Sequence, residues 1–412
     1  MYADMRLTYT FYLYLYIFIS VYSSIYIFSI FYFGRTKKNK KEKVKTEDLI
    51  VLIPVYNENE NLFRQCINSV KKENAKFIVI GNGCNEPYRS IVVENGGKFM
   101  YLKENIGKKG ALAYGIKYIK TKYVMFLDSD TILSKNAVIK LLGEFDEKTG
   151  GVGAEIKIIK ERNKFIYYPS EMLQRLRQIS FRAMSHFNKV LVLNGQCAVY
   201  RTGLIKPFVT SNEFLNRSFM GKKMIIGEDV AITKYVNLSG YKTKIAQDVI
   251  VRTKGQDSFK KLIKQAIRWS RSGYINFILS MKDFSLYKNG IFYAFSMLYV
   301  YTLPPLILLL LMMRGGLLAD IIIKRGIING GRSFIYSLIY TPRALESFII
   351  PYIGIRIISL AALGIMLLLL IKNVNRNKLR FLSYGSIILL VMFLTSIYAI
   401  ISINKHNKWL TR

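Results

Sequence analysis

The sequence predicts an α/β domain built on a parallel sheet and inserted between transmembrane helices. Three observations predict it. Between residues 49 and 130, short β-branched runs alternate with segments of helical pattern. The run Leu7–Phe33 carries no charge, and long apolar runs return after residue 290. Hydrophobic residues make up 51% of the 412-residue chain, and they crowd into those flanking segments, leaving a middle of ordinary α/β composition.

Charge and rare residue types then narrow the chemistry. Lys+Arg 61 against Asp+Glu 26 gives a net charge of +35, which suits phosphorylated substrates, anionic lipid or nucleic acid. No zinc-finger, basic-zipper or aromatic-basic RNA motif accompanies that charge, so no nucleic acid partner is expected. Cys66, Cys84 and Cys197 form no even framework and no paired spacing, in keeping with a reducing compartment. His186 and His406 are the only histidines, so carboxylates must carry any acid–base or metal chemistry.

Taken in order, Leu7–Phe33 is long enough to span a bilayer with some tilt. It lacks a small-residue cleavage site and reads as an anchor, not a removed signal peptide. The basic cluster Arg35–Lys45 abuts it and marks the cytosolic side, so the chain after residue 34 is expected inside. Leu49–Val55 reads as a buried parallel strand, and Tyr56-Asn-Glu-Asn-Glu60 opens a helix through Ser69. Phe77–Ile80 is a second strand ending in the tight turn Gly81-Asn-Gly-Cys-Asn85. A short strand at Phe99–Leu102 precedes Asn105-Ile-Gly-Lys-Lys-Gly-Ala111 and a helix to Ile119.

Tyr123-Val-Met-Phe-Leu-Asp-Ser-Asp130 follows, a strand that runs into two carboxylates. In an extended segment Asp128 and Asp130 point the same way, within reach of one cation. Two hard oxygen ligands suit Mg2+ or Mn2+ and leave positions open for substrate phosphates. The same triplet also reads as a turn cap or a solvated loop. All these loops lie at the carboxyl ends of strands, where such sheets bind ligands. Lys108 and Lys109 stand at a helix start and can add positive charge there, or simply be solvated.

Further along, Gln265, Arg268 and Trp269 share one helical face. Lys260, Lys261 and Lys264 precede them and suit lipid headgroups, and Tyr168–Asn188 is a second, arginine-rich interfacial helix. Ile291–Met313, Phe348–Ile371 and Phe381–Ile403 have spanning length, with an outer loop 314–345 and a basic inner loop Lys372–Arg380; Lys324, Arg325 and Arg332 also allow 316–345 to be interfacial or partly re-entrant. Arg356, inside the third span, must snorkel or face a polar path. The expectation is a multi-pass membrane protein with a cytosolic domain and membrane lipids as partners.

From about residue 49 to 275 the chain resembles the family 2 glycosyltransferases, whose nucleotide-sugar-binding domain has the Rossmann-like GT-A fold. Four motifs in order carry the resemblance: Ile53-Pro-Val-Tyr-Asn-Glu58, Asp128-Ser-Asp130, Gly227-Glu-Asp229 and Gln265-Ala-Ile-Arg-Trp269. The last, Gln-x-x-Arg-Trp, marks the processive membrane members, the hyaluronan, chitin and cellulose synthases. Val192-Leu-Asn-Gly-Gln-Cys-Ala-Val-Tyr-Arg201 is also similar to hyaluronan synthases. With the spans, the resemblance divides the chain into an N-terminal helix (1–34), a basic linker (35–48), the GT-A domain (49–257), interfacial helices (258–290) and a membrane region (291–412).

The resemblance implies a UDP-sugar donor held by Pro54, Tyr56, Glu58, Asn82, Lys109 and Asp128. It implies a metal on Asp128 and Asp130, Asp229 as catalytic base, and a carbohydrate or lipid-linked acceptor at Asn194, Gly195, Gln265, Arg268 and Trp269. One departure is Gly81-Asn82-Gly83-Cys84 where the family usually has Asp-Asp-Gly-Ser. Asn82 can still hydrogen-bond a base edge but brings no charge. Glu228, next to the base, is expected to face elsewhere. One base with no carboxylate nucleophile implies inversion, and extension of a polysaccharide is the expected activity. The alternatives are transfer of a single sugar to a lipid carrier or membrane glycoconjugate, and a non-catalytic binding module, which the intact acidic motifs oppose.

Overall fold

The computed structural model describes residues 2–35, 46–160, 162–339, 349–372, 374 and 377–406. Residues 36–45 of the basic cluster, 340–345 of the expected outer loop, Phe348, and residues 373, 375 and 376 of the inner loop lie outside the described residues.

The chain opens with α1 (Tyr2–Phe33) and enters the domain through β1 (Leu49–Val55), α2 (Glu60–Lys71), β2 (Lys76–Asn82), α3 (Tyr88–Glu94), β3 (Lys98–Leu102), α4 (Gly107–Ile116) and β4 (Tyr123–Leu127). There follow β5 (Thr131–Ile132), α5 (Ala137–Leu142), β6 (Thr149–Ile158), α6 (Lys164–His186), β7 (Cys197–Arg201), α7 (Thr202–Val209) and α8 (Asn212–Leu215). A hairpin of β8 (Ser218–Phe219) and β9 (Lys222–Lys223) leads to α9 (Glu228–Leu238), β10 (Lys242–Thr253), α10 (Phe259–Lys282) and α11 (Ser285–Lys288). The last helices are α12 (Ile291–Ile339), α13 (Ile349–Ile371), α14 (Lys378–Gly385) and α15 (Ile387–Ile401).

The sequence forms these elements for local reasons. β1 and β4 are apolar throughout and buried, as a strand covered on both faces requires. On α2, Leu62, Phe63, Cys66, Ile67 and Val70 recur at helical spacing and are the buried face, while Asn59 Oδ1 accepts the Leu62 N–H (3.1 Å) and caps the start. Val51, Ile53, Phe63, Val79, Met125 and Val199 belong to the core that results.

The eight strands run in the order β3-β2-β1-β4-β7-β6-β10-β5. The first four are parallel, as expected. The expected all-parallel sheet is corrected at β7, which runs antiparallel to both β4 and β6, and at β5, antiparallel to β10. The reversal has a use. It brings the start of β7, with Asn194, Gly195 and Gln196 just before it, to the carboxyl end of β4, where Asp128 N–H donates to the Gln196 carbonyl (3.0 Å).

The chain forms two compact units, Met1–Tyr32 with Phe295–Lys372, and Phe33–Ala294 with Asn373–Arg412. Among the described residues, four helical stretches are long and apolar enough to cross a membrane: Thr10–Phe33, Ile291–Leu317, Tyr352–Ile371 and Lys378–Ile401, the last made of α14 and α15 together. In the first unit the tyrosines of α1 make aromatic contacts. Tyr26 stacks on Tyr299 (3.8 Å between centroids), Tyr22 meets Phe295 and Tyr299, and Tyr16 meets Tyr352. The Arg356 guanidinium lies over the Tyr352 ring at 4.6 Å, so its charge meets an aromatic face. The expected loop after residue 313 is corrected as well in that its first part is helical, since α12 runs for 49 residues from Ile291 to Ile339. No proline falls between Pro305 and Pro342, so nothing there removes a backbone donor. In the second unit, α14 packs on α6 and α15 on α10, so the final apolar helix belongs with the sheet domain.

Candidate active site

The loops after β1 and β4 meet through Ser129 and Glu58, and the carboxylates of Glu58, Asp128 and Asp130 gather there. Asp128 and Asp130 do not lie in an extended strand, as their spacing implied. β4 ends at Leu127, and Thr131 N–H donates to the Asp128 carbonyl (3.1 Å), so a tight turn presents both side chains. Glu58 reaches across from the β1 loop, its Oε2 accepting from Ser129 Oγ (3.3 Å), while its own carbonyl accepts from Tyr88 Oη (2.6 Å). Burial, then the charges of Asp128 and Glu58, push the Asp130 carboxyl up to about 7.

Lys108 neutralises part of this cluster. Its Nζ lies 2.5 Å from Asp128 Oδ1 and 3.4 Å from Glu228 Oε1, and donates to the Gly195 carbonyl (3.1 Å). Burial opposes its charge, but Asp128 and Glu228 outweigh that and raise its pKa. Lys109, expected at the donor, turns the other way. Its Nζ donates to the Met224 carbonyl (3.0 Å) and lies over the Phe214 ring (5.4 Å), where burial lowers it to about 8. Successive helical residues point about 100° apart, so only one of the pair can face the carboxylates, and sequence spacing does not say which.

The two acidic residues at the start of α9 both line the site, which corrects the expectation for Glu228. Gly227, at φ 86°, turns the chain into the helix, and a Cβ there would sit 2.5 Å from Ser272 Oγ on α10. Burial works against the Glu228 carboxylate, but Lys108 and then Arg268 outweigh it and lower its pKa. Asp229 behaves differently. Burial first, and then the charge of Glu228, push it up to about 6 against the pull of Lys108. Its Oδ1 accepts from Val230 N–H (2.8 Å). A Cβ at Gly195 would be 3.4 Å from both Asp229 Oδ2 and Lys108 Nζ, so the glycine keeps the space between them open.

Several expected ligands have other partners. Asn82 is only 2% exposed; its Oδ1 accepts from Ile106 N–H (2.9 Å) and its Nδ2 donates to Asn105 Oδ1 (2.7 Å). It ties the β2 loop to the start of α4, and its side-chain oxygen already has a partner. Asn194 donates to the Ala154 carbonyl (3.2 Å) and accepts from Arg177 Nη2 (3.1 Å). Arg177 also lies over the Trp269 ring at 4.5 Å, so one face of the indole carries a guanidinium. Gln265, Arg268 and Trp269 stand on α10 as expected, and Pro54 and Tyr56 close β1 beside Glu58. Sequence reasoning did not single out Arg177. The arginines on the otherwise amphipathic α6 were the available signal.

Asp128, Asp130 and Glu58 fit a divalent cation in one respect: like charges crowd, and one carboxyl is driven toward its protonated form. Among the described residues no group of three or more His, Cys, Asp or Glu side chains forms a ready metal cage. A site with few protein ligands, completed by substrate phosphates, is the arrangement Mg2+ or Mn2+ prefers.

Comparison with known proteins gives the family and the fold. Residues 47–272 match the family model described as glycosyltransferase-like family 2, over more than half of the chain. The chain belongs to that family. Residues 219–353 also match glycosyl transferase family 21. Among curated relatives of this family 2 chain, an N-acetylglucosaminyltransferase of Azorhizobium caulinodans is 25% identical over 244 residues, 56% of this chain and 61% of that protein. A poly-beta-1,6-N-acetyl-D-glucosamine synthase of Staphylococcus aureus is 28% identical over 292 residues, 66% of this chain and 68% of the relative. The chain spans 50% to 61% of the length of the first N-acetylglucosaminyltransferases it matches. Among solved structures, a mannosyltransferase of Pyrobaculum calidifontis in complex with GDP-Man and Mn2+ superposes with a TM-score of 0.58 at 13% identity, covering 89% of this chain and 99% of the other. The family 2 chain thus has the GT-A fold.

Proposed function

We propose that this chain is a membrane-embedded, metal-dependent, inverting glycosyltransferase that takes a nucleoside-diphosphate sugar and extends a polysaccharide on the cytosolic side. The observation that carries the reading is the pair of unlike carboxylates at the start of α9. Glu228 is held ionised by Lys108, whereas Asp229 is half-buried with a raised pKa next to the open space at Gly195. That is how a general base differs from a charge-balancing neighbour.

The steps follow from these groups. An acceptor hydroxyl placed by Gly195 gives its proton to the Asp229 carboxylate, and its oxygen attacks the anomeric carbon. The bond from that carbon to the diphosphate breaks, and the leaving oxygen takes the electron pair. Lys108 stands ready to meet the developing charge, and Glu58 and Ser129 hold the turn that presents Asp128 and Asp130. A divalent cation held by those two aspartates would supply Lewis-acid stabilisation of the leaving diphosphate. Glu228, paired with Lys108, is not free to form a covalent sugar intermediate, which supports inversion. Uridine as the base and a hyaluronan-like product rest on the motif resemblance, and the relatives' names support transfer of N-acetylglucosamine and a poly-N-acetylglucosamine-like product.

Transfer of a single sugar to a lipid-linked acceptor is the second reading. It is favoured by Arg177, which covers one face of the indole on which a growing chain would stack. A panel of labelled nucleotide sugars, given to the membrane-embedded protein with Mn2+, tests both readings through product size. Long products from a UDP-N-acetylhexosamine are expected; one added sugar at every donor concentration and time would falsify the polymer reading. Trp269→Ala then removes stacking area without touching Asp128 or Asp229. Donor hydrolysis is expected to outlast elongation, and the surviving products to be short. Wild-type product length in that variant rules out Trp269 as the acceptor platform.

A further inference from the structure

The stretch Arg268-Trp269-Ser270-Arg271-Ser272 of α10 holds a charge with no part in the steps above. Arg271 is 3% exposed. Its Nε and Nη2 donate to Ser402 Oγ at 3.1 and 2.8 Å, 131 residues along the chain, and its Nη1 donates to the Lys405 carbonyl at 3.2 Å. The guanidinium lies over the Tyr398 ring at 5.6 Å, and Ser402 Oγ donates in turn to the Tyr398 carbonyl at 2.5 Å. A buried guanidinium met by hydroxyl and carbonyl oxygens stabilises less than an apolar side chain of its size would. What it supplies is direction, since a planar fork accepts only one placement of its partners.

The same segment is gripped from its other end. His406 is 1% exposed, with Nδ1 2.9 Å from the Ile403 carbonyl and Nε2 3.2 Å from the Lys222 carbonyl. Its ring meets Phe219 edge-on at 5.7 Å, and Lys222 Nζ donates to the Asn404 carbonyl at 3.2 Å. Phe219 and Lys222 belong to the β8–β9 hairpin, which runs on to Gly227, Glu228 and Asp229. Gly227 closes on Ser272, the neighbour of Arg271. The contacts therefore form a ring: from Arg271 to the segment after α15, to the hairpin, to the start of α9, and back to α10.

We propose that Ser402–His406 is a strap, and Arg271 the positioning residue that anchors it, together fixing Asp229 in register with Trp269. This rests on the reading of Asp229 as base and of Trp269 as acceptor platform. Arg271 touches no reacting group. Its effect passes through the hairpin, so transfer depends on a segment downstream of the last apolar helix.

The test uses the full chain in lipid nanodiscs, with Arg271→Lys, which keeps the charge but cannot bridge Ser402 and Lys405 together, and His406→Ala, which frees the strap at its far end. Hydrogen exchange is followed in residues 217–226 and, as a folding control, in β1. Both variants are expected to exchange faster in 217–226 with β1 as protected as in the wild type. With donor KM changed less than about threefold, kcat is expected to fall about 10²-fold, the effect of displacing a reacting group by an ångström. Unchanged exchange in 217–226 overturns the strap, and so does a loosened hairpin with wild-type kcat. If Arg271→Lys loses the protection of β1, His406→Ala decides alone. Should the wild type transfer no sugar from any donor, the functional reading fails instead, and the exchange data still judge the strap.

Discussion

Asp229→Asn is expected to lower sugar transfer by about 10²–10⁴-fold while donor affinity stays at the wild-type value. The amide is nearly isosteric with the carboxyl and still accepts from Val230 N–H, so the start of α9 keeps its shape. It cannot take a proton from the acceptor. The pH profile gives an independent reading. Burial and Glu228 raise Asp229 to about 6, so the base is protonated and idle below that pH and ionised above it. Wild-type kcat/KM is therefore expected to rise with pH through about 6, and Asp229→Asn to lose that limb. A parallel loss of donor affinity would make Asp229 a substrate ligand instead.

Asp130→Ala abolishes turnover but leaves the protein folded and membrane-inserted. The aspartate sits in a half-buried cluster where Asp128 and Glu58 oppose its charge, so its removal relieves repulsion and is expected not to lower the unfolding midpoint. Only function has a need for it. Loss of the cation it would share with Asp128 removes a term worth several kcal/mol, about 10³-fold or more in rate. EDTA is expected to do the same to the wild type, with recovery on adding Mn2+. Turnover at the wild-type rate in EDTA would show that Lys108, already 2.5 Å from Asp128, neutralises the leaving group without a metal.

How far the sequence reached differs between elements and contacts. β1 is found at Leu49–Val55, the bounds its apolar run implied, because a strand buried on both faces must be apolar throughout. The long apolar helices were legible for a similar reason, since a stretch able to span a bilayer needs a long run with almost no charge. The family was legible too, through four short motifs whose residues stand close together along the chain.

By itself, then, the sequence determined what depends on near neighbours: the elements, the long apolar helices, the family and the acidic motifs. Tertiary structure alone decided which of them meet. It chose Lys108 over Lys109 for Asp128, turned Glu228 inward, engaged Asn82 with the start of α4 and set Arg177 over Trp269. It also reversed β7, which carries Gly195 to the site, and joined Arg271 to Ser402. The physical reason is common to all of these. A side chain's direction and burial depend on groups brought from tens to more than a hundred residues away, and periodicity along the chain holds no record of them.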